Sequence, residues 1–213
     1  MQSTNARYQE LLASTHRMQT QLYIDNVVYG EEKIMEGSLQ TKNSLFQGDI
    51  PTVGGAVAGE ISVQLLGVLS SSVARMAELR PQVRLVGDSG EPSEWVAQGV
   101  YNVDKRSYNK QTGVLTLHGY DKMLATEQWY TGSVGTGGVT DITIVNRVCT
   151  QVGITLDSET DSFFSASGKK YKVTKPRNYT CRELLQAIAG GYGGNWCMTP
   201  VGKLRLVLLN SFP

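Results

Sequence analysis

The stretch Glu94–Leu124 constrains the fold of this chain more than any other, because apolar and polar residues alternate along it. In Val114–His118, the apolar Leu115 and Leu117 stand between residues that suit the opposite face of a strand. The segment Asn109–Gly113, which precedes this run, has the composition of a turn. A period of two bounded by Asn and Gly is typical of an antiparallel hairpin with one buried face. The sequence therefore predicts a sheet built around this hairpin.

The carboxylate of Asp121 comes directly after the second strand, where the alternation stops. A lone acid in a pocket is one interpretation of it, and a residue that caps a turn is the other. We favour the cap, because Asp accepts hydrogen bonds from backbone N–H groups two residues on. The prediction is that Asp121 is structural and lies near the exit from the β-rich part of the chain.

The first part of the chain is predicted to be mainly β. Its 23 glycines among 213 residues suit short strands and tight turns rather than long helices. Besides the hairpin, we predict strands at 19–29, 33–40, 60–66 and 82–86, and short helices at 5–18 and 70–79.

The part of the chain after residue 138 has a different pattern. Thr140 or Asp141 is predicted to cap a helix that stops at Gly153. Thr180 and Glu183 have the spacing of a capping box, and a second helix is predicted from there to Gly190–Gly191. We also predict a loop at 157–170, a strand at 171–174, and a terminal hairpin at 195–199 and 204–209. The fold class is therefore α+β, with a mainly-β domain at 20–130 and a smaller α+β domain of two helices plus a β-hairpin at 139–213. Residues 1–19 are predicted to form a helical arm and residues 131–138 a Gly-rich linker.

The composition argues against several classes of function. The net charge is +1, from 20 basic and 19 acidic residues, and no basic cluster favours nucleic acid or a membrane surface. No stretch approaches the roughly 18 apolar residues that span a bilayer, and Met1–Ser14 lacks the apolar core of a secretory signal. The expectation is a soluble protein made in a cytoplasm. The loop Gln47–Gly59 lacks the Gly-Lys-Ser/Thr of a phosphate loop, so we interpret it as a flexible loop that reaches a neighbouring subunit.

Candidates for chemistry are few. Cys149, Cys181 and Cys197 form no CxxC pair, and we expect three buried free thiols rather than a zinc site or a disulfide. A dyad of His118 with Cys149 or Cys181 stays open from sequence alone. The indoles Trp95, Trp129 and Trp196 suit sugar stacking, although burial is the expected state of all three. We predict no catalytic, cofactor-binding or metal-binding residue, no cofactor and no enzymatic activity, because no nucleophile, base and orienting group converge.

Two series of short motifs resemble the phage and prophage tail hub proteins. The first series lies in the mainly-β part: Leu45, Phe46, Asp49, Gly54, Gly55, Gly59, Glu60, Arg84, Leu85, Glu94, Trp95, Gly99, Tyr101, Asp104, Leu115, Leu117, Gly119, Tyr120 and Asp121. The second lies in the α+β part: Gly153, Ile154, Thr180, Cys181, Arg182, Glu183, Leu184, Leu185, Ile188, Ala189, Gly193, Asn195, Gly202, Lys203 and Leu204. Together the two series cover nearly the whole chain beyond residue 20.

This resemblance implies a β-barrel-like hub domain beside an α+β domain, in a trimer at the distal end of a tail tube. A hub of this kind contacts the tail tube and the distal or baseplate proteins, and DNA and the tape-measure protein pass through its channel. It implies a virion protein that is assembled in the host cytoplasm and binds no membrane. Only one barrel is visible in this chain, so it is expected to be either the first portion of a longer hub or a reduced form that assembles with sixfold symmetry.

Two other hypotheses stay open beside the structural hub subunit. One is a tail-associated peptidoglycan endopeptidase, which would depend on His118 or Cys181. The other is a host-surface carbohydrate-binding module, which would depend on exposed aromatic side chains such as Trp129.

Overall fold

A computed structural model describes residues 4–88, 90–133, 138–167, 170–171 and 178–209. The chain divides into two compact units, Met1–Lys42 with Glu60–Tyr120 and Asn43–Gly59 with Asp121–Pro213. Residues 43–59 and 121–130 thus fall in the second unit, whereas the sequence pattern predicts them in the mainly-β domain. The domain bounds 1–19, 20–130, 131–138 and 139–213 stay a prediction, and residues 134–137 of the linker lie outside the described residues.

The first unit is built on one antiparallel sheet. Its elements are α1 (Ala6–Leu12), β1 (His16–Ile24), β2 (Val27–Tyr29), β3 (Gln40–Lys42), β4 (Glu60–Leu66), β5 (Glu78–Gly87), β6 (Val96–Ala97), β7 (Tyr101–Asn109) and β8 (Val114–Asp121). The strand order is β2-β1-β5-β7-β8-β4-β3, with β6 paired to β5. Among the described strands β2 and β3 do not pair with each other, so the sheet is open and the barrel expected from the resemblance is not confirmed.

The hairpin predicted at the centre of the chain is confirmed in its second half. The N–H of Gly113 donates to the carbonyl of Asn109 at 2.9 Å and closes the turn between β7 and β8. Leu115 and Leu117 are fully buried, as the alternation predicted. The predicted first strand of the hairpin, which contains Val96, Val100 and Val103, is instead interrupted at Gly99. The φ of Gly99 is +151°, and an added Cβ would lie 2.4 Å from the ring of Tyr101. Residues that carry a Cβ rarely adopt that φ. Glycine therefore allows the backbone to turn at this position, and the turn separates β6 from β7.

The predicted return strand at 33–40 is wrong. The strand that returns directly after β1 is β2, and Ile24 lies opposite Val27 across the two-residue turn Asp25–Asn26. Asp25 has a φ of +51°, a conformation that Asp and Asn tolerate better than most residues. The Asp-Asn pair between apolar residues is the sequence signal that would have located this tight turn.

The helix predicted at 70–79 is also wrong. Only Ser70–Ser72 form a 3-10 turn, and β5 begins at Glu78. Leu79 is fully buried and lies opposite Ile24 on β1. The pairing between distant strands overrides a helical spacing that was only a few residues long. The N-terminal helix exists but ends at Leu12, since His16 already belongs to β1.

The second unit contains the helices and a smaller sheet. After a 3-10 helix at Lys122–Glu127 come β9 (Val139–Thr140), α2 (Asp141–Val152), β10 (Thr155–Leu156), α3 (Ser158–Ser167), β11 (Lys170–Tyr171), α4 (Cys181–Tyr192), β12 (Gly194–Met198) and β13 (Lys203–Leu208). The sheet order is β10-β13-β12, and β9 pairs with β11. α2, α4 and the terminal hairpin pack around one core that includes Val145, Leu185 and Trp196.

The caps of the two predicted helices are confirmed. The Thr140 hydroxyl accepts from the N–H of Thr143 at 3.4 Å, and Gly153 ends α2 with a φ of +67°. Thr180 and Glu183 exchange both bonds of the capping box. α4 runs past the two glycines at which we expected it to stop and ends at Gly193.

The loop predicted at 157–170 is wrong, because α3 occupies most of it. The carboxylate of Asp157 accepts from the N–H of Glu159 at 3.2 Å at the start of this helix. Phe164 is buried and stacks on Trp196, with ring centroids 6.0 Å apart. Of the strand predicted at 171–174, only residue 171 is described, and residues 172–174 lie outside the described residues. In the part of the chain that the structure describes, no helix is both long and apolar enough to cross a bilayer.

Candidate assembly surfaces

The three thiols are held in their protonated form. Cys149 and Cys181 are buried and Cys197 is half-buried. Burial raises the pKa of each thiol from 9.0 to about 11. The thiolate is the nucleophile, so its fraction near neutral pH is far below that of an ordinary cysteine.

Native protein is therefore expected to react with iodoacetamide at pH 8 at least tenfold more slowly than protein unfolded in guanidinium. Raising the pH toward 11 should accelerate the native reaction, since the thiols then ionise. Mass spectrometry of the alkylated protein over time measures both rates. Rapid alkylation of native Cys181 at pH 8 would contradict this prediction and revive the endopeptidase hypothesis.

His118 has neighbours of its own in the first unit. Its Nε2 lies 3.8 Å from a carboxylate oxygen of Glu60, and its ring meets Tyr120 edge-on with centroids 4.9 Å apart. Its Nδ1 is buried and has no hydrogen-bond partner among the described residues. Neither of these two neighbours is a cysteine, so the contacts described for His118 give no Cys–His dyad.

The three tryptophans differ in their surroundings. Trp196 is buried and donates from Nε1 to the carbonyl of Leu185 at 2.6 Å. Trp95 is half-buried beneath the guanidinium of Arg84, 4.5 Å from the ring centroid. Trp129 is 61% exposed, so the expectation of burial is wrong for this residue. Among the described residues, no three His, Cys, Asp or Glu side chains are grouped as metal ligands.

Asp121 is the N-cap of the 3-10 helix, as its position after the strand predicted. One carboxylate oxygen accepts from the N–H of Met123 at 2.9 Å and the other from the N–H of Gly59 at 2.8 Å. Burial raises the pKa of this carboxyl from 3.8 to about 6, although both N–H donors and the charge of Arg182 act in the opposite direction. The side chain thus joins the end of the loop 43–59 to the start of residues 121–127 within the second unit.

Gly59 leaves no room for a side chain beside this carboxylate. An added Cβ would lie 2.2 Å from the amide oxygen of Asn43 and 2.8 Å from a carboxylate oxygen of Asp121. We expect Gly59→Ala to lower the free energy of unfolding by about 1 kcal/mol, because the crowded polar groups must move apart. Gly48→Ala is the matched control in the same loop, since nothing lies within 4 Å of its added Cβ. Urea titrations of the two variants test this, and equal losses would contradict the crowding argument.

Asn195 holds the other end of the same loop. Its amide oxygen accepts from the N–H of Gly55 at 2.5 Å, and its amide nitrogen donates to the carbonyl of Thr52 at 2.7 Å. The backbone adds bonds from Gly54 to Gly194 and from Trp196 to Gly55, both at 2.8 Å. The interpretation of 47–59 as a flexible loop is therefore wrong for residues 52–59, which are fixed to their own unit.

Among the strands that the structure describes, two in the first unit have one edge without a neighbouring strand. Tyr23 directs its backbone groups to β5, so Val28, which lies opposite it, directs its own away from β1. The N–H of Met35 donates to the carbonyl of Gln64. The even-numbered residues of β4 therefore direct their backbone N–H and C=O groups toward β3. Thr41 lies opposite Ile61 and therefore directs its backbone groups outward from β3. Free edges of this kind pair readily with another strand.

The fold of this chain is shared with solved tail proteins. It superposes on the 43 kDa tail protein of prophage MuSo2 from Shewanella oneidensis with a TM-score of 0.54 and 17% identity, covering 91% of this chain and 56% of that one. A tail protein from Neisseria meningitidis matches with a TM-score of 0.53 and 13% identity, over 92% of this chain and 52% of that one. A chain of the Francisella PdpA–VgrG complex matches with a TM-score of 0.53 and 8% identity, over 89% and 31%.

These likenesses include both units, and they confirm at the level of fold the resemblance to phage tail proteins. The chain spans about half the length of the two tail proteins. No family model matches the sequence, and no curated protein matches it either.

Proposed function

We propose that this chain is a structural hub subunit of a phage or phage-like tail. In this role it forms a ring at the distal end of the tail tube, connects the tube to the tip or fibre, and leaves a channel for DNA. The observation that carries the proposal is the shared fold, which extends over about nine-tenths of this chain and about half of each of two different tail proteins.

The two exposed edges of the first unit support assembly into a ring. β2 and β3 stand at opposite ends of the sheet order and expose outward N–H and C=O groups at Val28 and Thr41. Pairing β2 of one subunit with β3 of the next is a head-to-tail contact, and such contacts close into rings when the rotation permits. We propose a homo-oligomer, either a trimer or a sixfold ring.

The charge of the chain suits a conduit. A net charge of +1 provides little sequence-independent attraction for phosphates, so DNA passes without being retained. The proposed partners are therefore the tail tube and the distal or baseplate proteins, while DNA and the tape-measure protein pass through the channel. The proposed location is the tail tip of the virion, after assembly in the host cytoplasm.

Proline substitutions at the two edges test ring formation. Val28→Pro and Thr41→Pro each remove an outward N–H that takes no part in the subunit's own ladder. Light scattering after size exclusion should show an oligomer for the wild type and monomers for both variants, and negative-stain images should show rings only for the wild type. Val28→Thr and Thr41→Val keep the N–H and should still assemble. A wild-type protein that stays monomeric at high concentration and does not enter tails would refute the hub proposal.

One observation favours a second candidate, a host-surface carbohydrate-binding module. Trp129 is exposed, and its backbone is held by a bridge to Thr180 and by a 2.7 Å bond from the Gln151 amide to its carbonyl. A fixed, exposed indole is a suitable platform for a sugar ring. A glycan array distinguishes the two candidates: binding that is lost in Trp129→Ala would favour the module over the hub.

A further inference from the structure

Among the described strands, none pairs with the outer edge of β1 over more than half of its length. β1 pairs with β5 from His16 to Ile24, but β2 covers only Leu22–Ile24 on the other side. The N–H of Asp25 donates to the carbonyl of Glu78. The even-numbered residues of β5 therefore direct their backbone N–H and C=O groups toward β1. The even residues of β1 lie opposite odd residues of β5, so they direct their backbone groups to the outer side.

The contacts of Thr20 confirm this orientation. Its N–H donates to a carboxylate oxygen of Glu31 at 3.3 Å, in the position where a neighbouring strand would present a carbonyl. In the part of the chain that the structure describes, no backbone group bonds to the outward N–H groups of His16 and Met18. An edge without a strand partner therefore extends from His16 to Thr20, and along it the N–H of Thr20 is occupied by the side chain of Glu31.

A groove of about 490 Å³ with both charged and apolar lining residues lies beside this edge. It is lined by residues of β1 and of the segment after β2: Arg17, Met18, Thr20, Glu31, Ile34, Met35, Glu36, Gly37 and Leu39. Met18 lies on the same face of β1 as the buried Leu22 and Ile24, yet it is 58% exposed. The groove is thus an uncovered continuation of the core, and its volume lies in the range of about 300–1,000 Å³ that is common for ligand sites.

The rim of the groove carries an unbalanced acidic charge. Arg17 pairs with Glu31 at 3.3 Å. Glu36, on the same rim, forms no ion pair with any residue that the structure describes. A ligand that carries a basic side chain next to an apolar one complements this arrangement.

We propose that this groove binds an extended segment of a partner protein, which adds to β1 as a further strand. The backbone of the segment pairs with the edge at His16–Thr20, where one of its carbonyls replaces the Glu31 carboxylate as acceptor of the Thr20 N–H. Its alternate apolar side chains cover Met18 and Ile34, and a basic side chain faces Glu36. This is the strand-addition mode of peptide recognition, in which the ladder provides affinity and the alternating pockets provide specificity. The proposal is independent of ring formation, which uses the edges of β2 and β3.

Synthetic peptides test the mode of binding. The probes are short peptides in which valine, leucine or phenylalanine alternates with threonine between terminal lysines, titrated into the intact protein by fluorescence anisotropy. At least one should bind, and its N-methylated form, which cannot form the ladder, should bind at least tenfold more weakly. Replacing its lysines with glutamates should weaken binding by a similar factor. The proposal is overturned if no peptide binds at millimolar concentration, or if N-methylation has no effect.

Substitutions in the protein test the location. Met18→Lys and Glu36→Lys should each weaken binding of the best peptide at least tenfold. Met76→Lys is the matched control, because Met76 is also exposed but does not line the groove. Equal binding by all three variants would overturn the proposal. It would also be overturned if Met18→Lys dissociated an oligomer of the wild type, since the occupant would then be a second copy of this chain.

Discussion

Replacing Asn195 with alanine is expected to lower the free energy of unfolding by about 2–4 kcal/mol. The side chain is fully buried, and both of its amide atoms bond to the loop 43–59. The substitution leaves the buried N–H of Gly55 without its acceptor, and an unsatisfied buried group costs about 1–3 kcal/mol. The carbonyl of Thr52 is closer to solvent, so the loss of its donor lowers the free energy of unfolding by less.

A chemical denaturation series measures this loss, with Asn146→Ala as the control. Asn146 is exposed on α2, so its replacement should change the free energy of unfolding by less than about 0.5 kcal/mol. Asn195→Asp keeps an acceptor for Gly55 but loses the donor for Thr52, and it also buries a charge. It should therefore be destabilised as well. A loss below 1 kcal/mol in Asn195→Ala would mean that the loop is held mainly by its backbone bonds.

The stability contributed by Asp121 is expected to increase as the pH falls, the reverse of the usual behaviour of a carboxylate. Its folded-state pKa, about 6, lies above its ordinary value of 3.8, so the folded protein binds the proton more tightly than the unfolded chain. The free energy of unfolding therefore decreases as the pH rises through this interval and levels off above pH 6. The difference between the two pKa values corresponds to a total change of about 3 kcal/mol in the free energy of unfolding.

Comparison of the wild type with Asp121→Asn isolates this effect, because other titrating groups are common to both. Between pH 7.5 and pH 4 the wild type should gain about 2 kcal/mol relative to the variant, and more than half of this gain should appear by pH 5. Asparagine accepts only one of the two N–H bonds and does not titrate. The missing hydrogen bond therefore lowers the free energy of unfolding of the variant by the same amount at every pH. If the wild type instead loses stability relative to Asp121→Asn as the pH falls, the native carboxylate is stabilised in its charged form.

Both residues act on the loop 43–59, which belongs to the second unit although strands of the first unit flank it in sequence. Asn195 fixes Thr52 and Gly55, and Asp121 fixes Gly59. If the loop 43–59 contributes to ring assembly, Asn195→Ala and Asp121→Asn should each weaken oligomers more than Gly48→Ala does. Light scattering at matched protein concentration measures this.

Local patterns were sufficient where a short stretch of sequence contains all the groups that determine a structure. The alternation at Leu115 and Leu117, the capping box at Thr180 and Glu183, and the cap by Asp121 were each predicted from adjacent residues and are present. The order of short motifs along the chain also indicated the class of tail proteins whose fold the chain shares.

The sequence by itself therefore determined the alternation of β8 and the helix caps, because each of these depends on neighbours within a few residues. It indicated the resemblance through the order of its motifs along the chain. Only the tertiary structure decided that Leu79 belongs to a strand, that Asn195 holds a loop about 140 residues away in sequence, and that β1 has an open edge. These features depend on contacts between distant segments, and the free energy of such contacts exceeds local propensity. The exposure of Trp129 and Met18 was likewise undetermined until the packing showed which apolar residues the two cores leave uncovered.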